Sequence, residues 1–245
     1  QMCIRDRYVA DVVDVPVTGL LDKGYLAQRG HLIGNRSMGV AQPGNPPRAL
    51  ARGRDATPEL PSTSHISIVD KSGMAVAMTS SIEDGFGSRL MVNGYLLNNQ
   101  LTDFSFTSVD AAGLPVANRV EPGKRPRSSM SPLLVFDKAS GELEMSLGSP
   151  GGSAIINYVG KALLGTQDWG LDLQQAINLP NFGSRNGPTE LEQGRTPDAV
   201  VQGLKARGHE VLLNEQTSGL QGVQRHAGGW LGAADPRREG VARGE

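Results

Sequence analysis

The sequence predicts a layered α+β fold, and three observations carry that expectation. Two stretches, 64–80 and 133–149, alternate apolar and polar residues around short turn signals and read as hairpins. The glycine-rich GSPGGS after the second hairpin opens onto AIINYVGKALLGTQDWG, whose apolar spacing is that of a buried helix. Strands then return near the C-terminus without a regular strand–helix–strand repeat, which argues against a doubly wound parallel sheet.

Taken in order, the chain opens on QMCIRDR, which has no Met at position 1, no secretory pattern and no periodicity. It reads as a piece of a longer chain, with residues 1–7 candidates for non-native sequence. LLDKGYLAQRGHLI, within residues 8–35, is a short helical candidate. From residue 37 to 62 the composition shifts, and GNPPRALARGRDATPELPSTS carries Pro46, Pro47, Pro58 and Pro61 among several arginines. That density predicts an exposed linker, the kind of segment where proteolysis concentrates. SHISIVD and MAVAMTSS then flank the turn-forming DKSG. GYLLNNQ reads as a third strand ending in amides, and residues 110–131 as a long irregular connection. LLVFDKASGELEMSLGS is the second hairpin, turning around Ser140 and Gly141. Helices are expected at Leu173–Leu179 and at Pro197–Arg207, the latter with proline in its first turn. EVLLNE, LQGVQRH and GWLGAAD supply the late strands.

Composition removes several function classes. Of 245 residues 38% are apolar, and the formal charge is −1, so there is neither a basic nucleic-acid surface nor an acidic disordered tail. No apolar run approaches the ~18 residues of a membrane span. Cys3 is the only cysteine, which excludes an intramolecular disulfide and a CxxC site. The four histidines lack ligand spacing, and neither metal nor other cofactor is expected.

Four stretches have chemistry to offer. Thr63 stands where the linker ends and the first hairpin begins. Inside an intact chain its hydroxyl is a weak nucleophile. If the Ser62–Thr63 bond is cut, it gains its own α-amine, of pKa about 7.7–8.0, as a general base. The plainer alternative is the first residue of an edge strand. GSPGGS can aim backbone N–H groups at an anion, as a phosphate cradle or an oxyanion hole, or can simply turn the chain. LLNNQLTDFS packs Asn98, Asn99, Gln100 and Asp103 into six residues, which suits either recognition of a small zwitterion or turn capping. RPRSSMSP sets the hydroxyls of Ser128 and Ser129 beside arginines, as a carboxylate grip or a polar loop.

Together, TSHISIVDKSGMAVAMTSSI, LLNNQLTDFS, RPRSSMSP, GSPGGS and GAADPR, in this order, resemble the γ-glutamyltransferases (γ-glutamyl transpeptidases). The resemblance covers Thr63–Glu245 as a complete small catalytic subunit. Residues 1–62 become the tail of a large subunit and the pre-cleavage linker. It implies the four-layer αββα sandwich of the N-terminal-nucleophile hydrolases, incomplete because most of the large subunit is absent. It implies self-cleavage between Ser62 and Thr63, then attack of Thr63 on a γ-glutamyl compound such as glutathione, with water, an amino acid or a peptide as acceptor. Gly151 and Gly152 would hold the oxyanion, and Ser81 stands where the family has a second threonine. Glu83, Gln100 and Asp103 fall at positions that bind the substrate α-ammonium; residue 83 is Glu where the family pattern has Asn. Ser128 and Ser129 fall at positions that bind its α-carboxylate. The family's carboxylate-gripping arginine lies in the large subunit, the expected partner. Export to a bacterial periplasm or exterior is implied by the same resemblance. A related glutaryl or cephalosporin-type acylase on this scaffold, or an inactive unprocessed fragment, are the competing readings.

Overall fold

A computed structural model describes residues 2–57 and 62–244. The N-terminal part holds three short helices, α1 (Met2–Tyr8), α2 (Val17–Leu20) and α3 (Lys23–Gly30). The first hairpin follows as β1 (Ser64–Val69) and β2 (Ala75–Ser80), then the two-residue pair β3 (Met91–Val92) and β4 (Tyr95–Leu96). The second hairpin is β5 (Leu133–Phe136) and β6 (Leu143–Gly148), leading into α4 (Ile155–Gln167) and α5 (Leu173–Asn178). The remainder is β7 (Phe182–Gly183), β8 (Thr189–Glu192), α6 (Asp198–Ala206), β9 (Val211–Asn214), β10 (Gln221–His226) and β11 (Gly229–Ala234).

Both hairpins turn on the same device. Asp70 Oδ1 accepts from the N–H groups of Ser72 (2.8 Å) and Met74 (3.0 Å), while Gly73 takes φ +87°. Asp137 Oδ1 accepts from the N–H groups of Ala139 and Ser140, with Gly141 at φ +73°. A side-chain oxygen that mimics the next backbone acceptor fixes each turn. The helix α5 starts on a reciprocal cap between Asp172 and Gln175, and Pro197 sits at the N-cap of α6, one place before its first turn.

Strands β11, β10, β6 and β5 form an antiparallel sheet in that order. Helices α4 and α5 cover one face, and Met145, Leu147, Ile155, Val159, Leu173 and Ile177 fill the core between them. The β1–β2 hairpin lies on the other face, against β6 and β10. Its alternation points the small and polar residues His65, Ser67, Ala77 and Thr79 inward. Ile66, Ile68, Val76 and Met78 point outward, each 43–51% exposed. The described residues thus supply a helix layer, a sheet and part of a second sheet, with an apolar face open where a fourth layer belongs.

The fold departs from the sequence reading at several places. GYLLNNQ contributes only β4, because Asn98 and Asn99 go to capping and loop hydrogen bonds instead of a ladder. Strand β8 was not expected, and with α6 and β9 it makes one parallel crossover unit. The proline-rich linker is fastened, not loose, over most of its described length. Asn186 donates to and accepts from the backbone of Ala41, and Tyr25 and Tyr8 donate to the carbonyls of Pro43 and Gly44. Gly53 bridges to Val116, and Asp55 is buried. Pro58 and Pro61 lie outside the described residues.

Candidate active site

Thr63 immediately precedes β1, and Ser81 immediately follows β2. The antiparallel register that pairs Ser64 with Ser80 brings these two hydroxyl residues side by side. In the continuous chain Ser81 Oγ donates to the carbonyl of Ser62 at 2.5 Å and accepts from Glu83 N at 3.0 Å. The carbonyl of the Ser62–Thr63 peptide bond is therefore held by a hydroxyl donor. Arg238 reaches the carbonyl of Thr63 at 3.5 Å.

A narrow cavity of about 30 Å3 is lined by Thr63, Ser81, Glu83, Gln100, Asp103, Ser128, Ser129 and Gly152. Residues from five separated parts of the sequence meet there. Ser62 and Gly151 flank it as chain neighbours of Thr63 and Gly152. Arg127, Met130 and Ile155 also line it and were not singled out from sequence. The space suffices for one or two waters. Gln100 Nε2 donates to Asp103 Oδ2, and Arg5 Nη1 donates to Ser129 Oγ. A ligand with an ammonium and a carboxylate would exchange these contacts for its own.

Glu83 is buried at 6% exposure and has φ +73°, a conformation that a side chain with a Cβ adopts at a cost. Its carboxylate accepts from Asn99 Nδ2 at 2.6 Å. Gly151 (φ +137°) and Gly152 (φ +54°) carry the chain from β6 into α4, and Gly152 lines the cavity. A Cβ on Gly151 would lie 2.6 Å from the Tyr158 ring. Among the described residues neither of these N–H groups donates a hydrogen bond, so both remain available to an anion.

Behind the cavity is a staple that sequence reasoning missed. Asn118, 1% exposed, donates through Nδ2 to Asp55 Oδ2 (2.9 Å) and to the Asp103 carbonyl (2.8 Å). Its Oδ1 accepts from Arg127 N at 2.9 Å. Two residues past Thr63, the His65 ring is enclosed between the hydroxyls of Thr79 (2.8 Å) and Ser67 (3.0 Å). Burial pushes its pKa down to about 4.

A helix layer on a sheet, a second sheet behind it, and a threonine at the head of the inner hairpin define the architecture of the N-terminal-nucleophile hydrolases. The profile of the family described as Gamma-glutamyltranspeptidase matches residues 2–245, and the chain belongs to that family. The glutathione hydrolase proenzyme of Escherichia coli (strain K12) is 37% identical over 248 residues, which cover 95% of this chain and 40% of that protein. The acylase ACY 1 proenzyme of Pseudomonas sp. (strain SE83) is 30% identical over 249 residues, covering 98% and 41%. Among solved structures, the gamma-glutamyltranspeptidase from Pseudomonas nitroreducens complexed with L-DON matches with a TM-score of 0.65 at 32% identity, over 74% of this chain and 98% of that chain. The chain spans about 40% of the length of these curated relatives.

Proposed function

We propose that this chain is the catalytic part of an enzyme that moves the γ-glutamyl group of glutathione and similar compounds to water, an amino acid or a peptide. The observation that carries this reading is the single cavity shared by a threonine, a hydroxyl partner, two carboxylates and a serine pair beside an arginine. A zwitterionic head group needs both kinds of partner, and the reacting carbonyl needs the nucleophile a few ångströms away.

The first step is self-cleavage. Thr63 Oγ attacks the Ser62 carbonyl carbon while the Ser81 hydroxyl stabilises the developing oxyanion through the contact described above. The Oγ proton passes to the Thr63 nitrogen as the C–N bond breaks, the Ser62 acyl group is left on Oγ as an ester, and water hydrolyses that ester to the Ser62 carboxylate and the free hydroxyl. Thr63 is then an N-terminal residue whose free amine, pKa about 7.7–8.0, takes the hydroxyl proton in each turnover. Oγ adds to the γ-carbonyl of the substrate, with Gly151 and Gly152 N–H groups facing the oxyanion. The ammonium so formed returns its proton to the leaving amine as the amide bond breaks. A γ-glutamyl ester on Thr63 remains, and water or an acceptor amine resolves it. Glu83, Gln100 and Asp103 hold the α-ammonium; Ser128 and Ser129 hold the α-carboxylate. We read the open apolar face of the first hairpin as the seat of the large subunit, whose length the relatives include and this chain lacks.

The test uses a precursor that includes the large subunit. Thr63→Ala is expected to abolish both cleavage at Ser62–Thr63, read by intact mass, and release of anilide from a γ-glutamyl anilide. A Thr63→Ala protein that still appears as two chains would assign the cut to another protease.

A further inference from the structure

We infer that Asp55, on the N-terminal side of the proposed cut, is a positioning residue for the carboxylate end of the substrate pocket. Asp55 is 2% exposed, although it lies in the proline- and arginine-rich segment that composition alone would place in solvent. Its Oδ2 is shared between Asn118 Nδ2 at 2.9 Å and Arg127 Nη2 at 3.3 Å, and its Oδ1 accepts from Thr57 N at 3.0 Å. Both partners lead directly to the cavity. Arg127 lines it beside Ser128 and Ser129. Asn118 binds the backbone of Arg127 on one side and of Asp103 on the other. The Asp55 carboxylate therefore sets where the Arg127 guanidinium rests, beside Ser128 and Ser129, while Asn118 stays anchored to the Asp103 and Arg127 backbones. Among the described residues Asp6, 3.9 Å from Arg127, is a further acidic neighbour of that guanidinium.

The physical reason for a carboxylate here is that Arg127 is nearly fully buried. A guanidinium taken out of water needs a charged partner, and one that also locks its direction leaves it able to face an incoming anion. Burial pushes the Asp55 carboxyl up, but hydrogen bonds from Asn118 and Thr57 and the Arg127 charge outweigh it and hold the group below the usual carboxylate range. After cleavage Asp55 belongs to the other subunit. The pocket would then be built across the cut, and the severed tail must stay docked for it to keep its shape.

This inference rests on the γ-glutamyl reading, and the experiment separates the two. In the complete, processed enzyme, Asp55→Ala and Asp55→Asn are compared with wild type on γ-glutamyl anilide and on 4-aminobutyryl anilide, which keeps the amine and lacks the α-carboxylate. The expected result is a KM for γ-glutamyl anilide raised about tenfold by Asp55→Ala and less by Asp55→Asn, which retains an acceptor for Asn118. The kcat, the extent of self-cleavage and kcat/KM for 4-aminobutyryl anilide should stay within about twofold. Equal losses on both substrates, no change on either, or failure of Asp55→Asn to fold and process would overturn the inference. Wild-type enzyme that ignores γ-glutamyl anilide would overturn the functional reading itself.

Discussion

At the scale of single residues, Glu83 combines burial, a left-handed backbone and a place in the cavity wall. Strain of about 1–3 kcal/mol at such a position is sustained where a side chain must point in one direction. With Asp103 it places two carboxylate residues in the wall of one small cavity, and on the proposed reading an α-ammonium would add a positive partner that a glutaryl group lacks. In the complete enzyme Asp103→Asn should lower γ-glutamyl turnover sharply and relax discrimination against glutaryl anilide, with Glu83→Gln moving the same way by less. If Glu83→Gln alters neither selectivity nor the pH dependence of kcat/KM, Asp103 binds the ammonium without it. His65 gives a second expectation. Its folded pKa of about 4 lies below the ordinary 6.5 because the ring is buried. The unfolded chain therefore takes up a proton between pH 6.5 and 4 that the folded chain refuses. Stability present above pH 6.5 is lost as pH falls towards 4, by about 3 kcal/mol from this residue. Denaturant titrations across that range should show the slope, and His65→Gln should flatten it; parallel curves would clear His65. Gln100, Asp103, Ser128 and Ser129, which the fold brings to one cavity, stand in short polar clusters that the sequence already marks. Asp55, Asn118 and Arg127 were not, because each is an ordinary polar residue in an irregular stretch and only the tertiary fold gives them a common purpose.

At the scale of elements, the C-terminal GAADPR ties strands to helices. Arg237 pairs with Glu192 of β8 through two hydrogen bonds (2.6 and 2.7 Å), and with Asp235 at 3.0 Å. It also donates to the carbonyls of Ile177 and Leu179 at the end of α5, where Lys161 Nζ binds the same two oxygens. The pair is buried, and removing Arg237 takes a charged partner from both Glu192 and Asp235, while among the described residues Glu192 keeps only the half-exposed Arg195 at 3.2 Å. Arg237→Leu should destabilise the protein by about 3–5 kcal/mol, and Glu192→Leu added to it should recover a large part. Thermal unfolding of the two single variants and the double variant measures this, and strictly additive losses would show that the pair is not coupled. The same knot explains why β8 was missed. TELE places two carboxylates in four residues and lacks apolar alternation, yet Glu192 is buried because Arg237 meets it inside. The hairpins were legible for the opposite reason, since DKSG and DKASG carry their turn chemistry within a few adjacent residues.

At the scale of the whole molecule, the first hairpin faces inward with its polar side and outward with Ile66, Ile68, Val76 and Met78. The alternation of SHISIVD and MAVAMTSS announces a two-sided strand pair, but it does not say which side the rest of the chain will take. This chain produced alone should bind a hydrophobic dye, self-associate and show little turnover; a cooperative, monomeric, active product would contradict that. Adding the large subunit should quench dye binding and restore turnover. Ile66→Thr with Ile68→Thr should improve solubility of the chain alone and weaken assembly, seen by size-exclusion chromatography. There is also a consequence for how such a protein has to be made. Two separately synthesised halves would expose this face while they searched for each other at cellular dilution, and edge-to-edge or face-to-face clumping would compete with pairing. A continuous precursor presents the missing layer at an effective concentration in the millimolar range. On the proposed reading, severing the chain only after the layers have closed would let the nucleophile gain its amine without a free, sticky half ever existing.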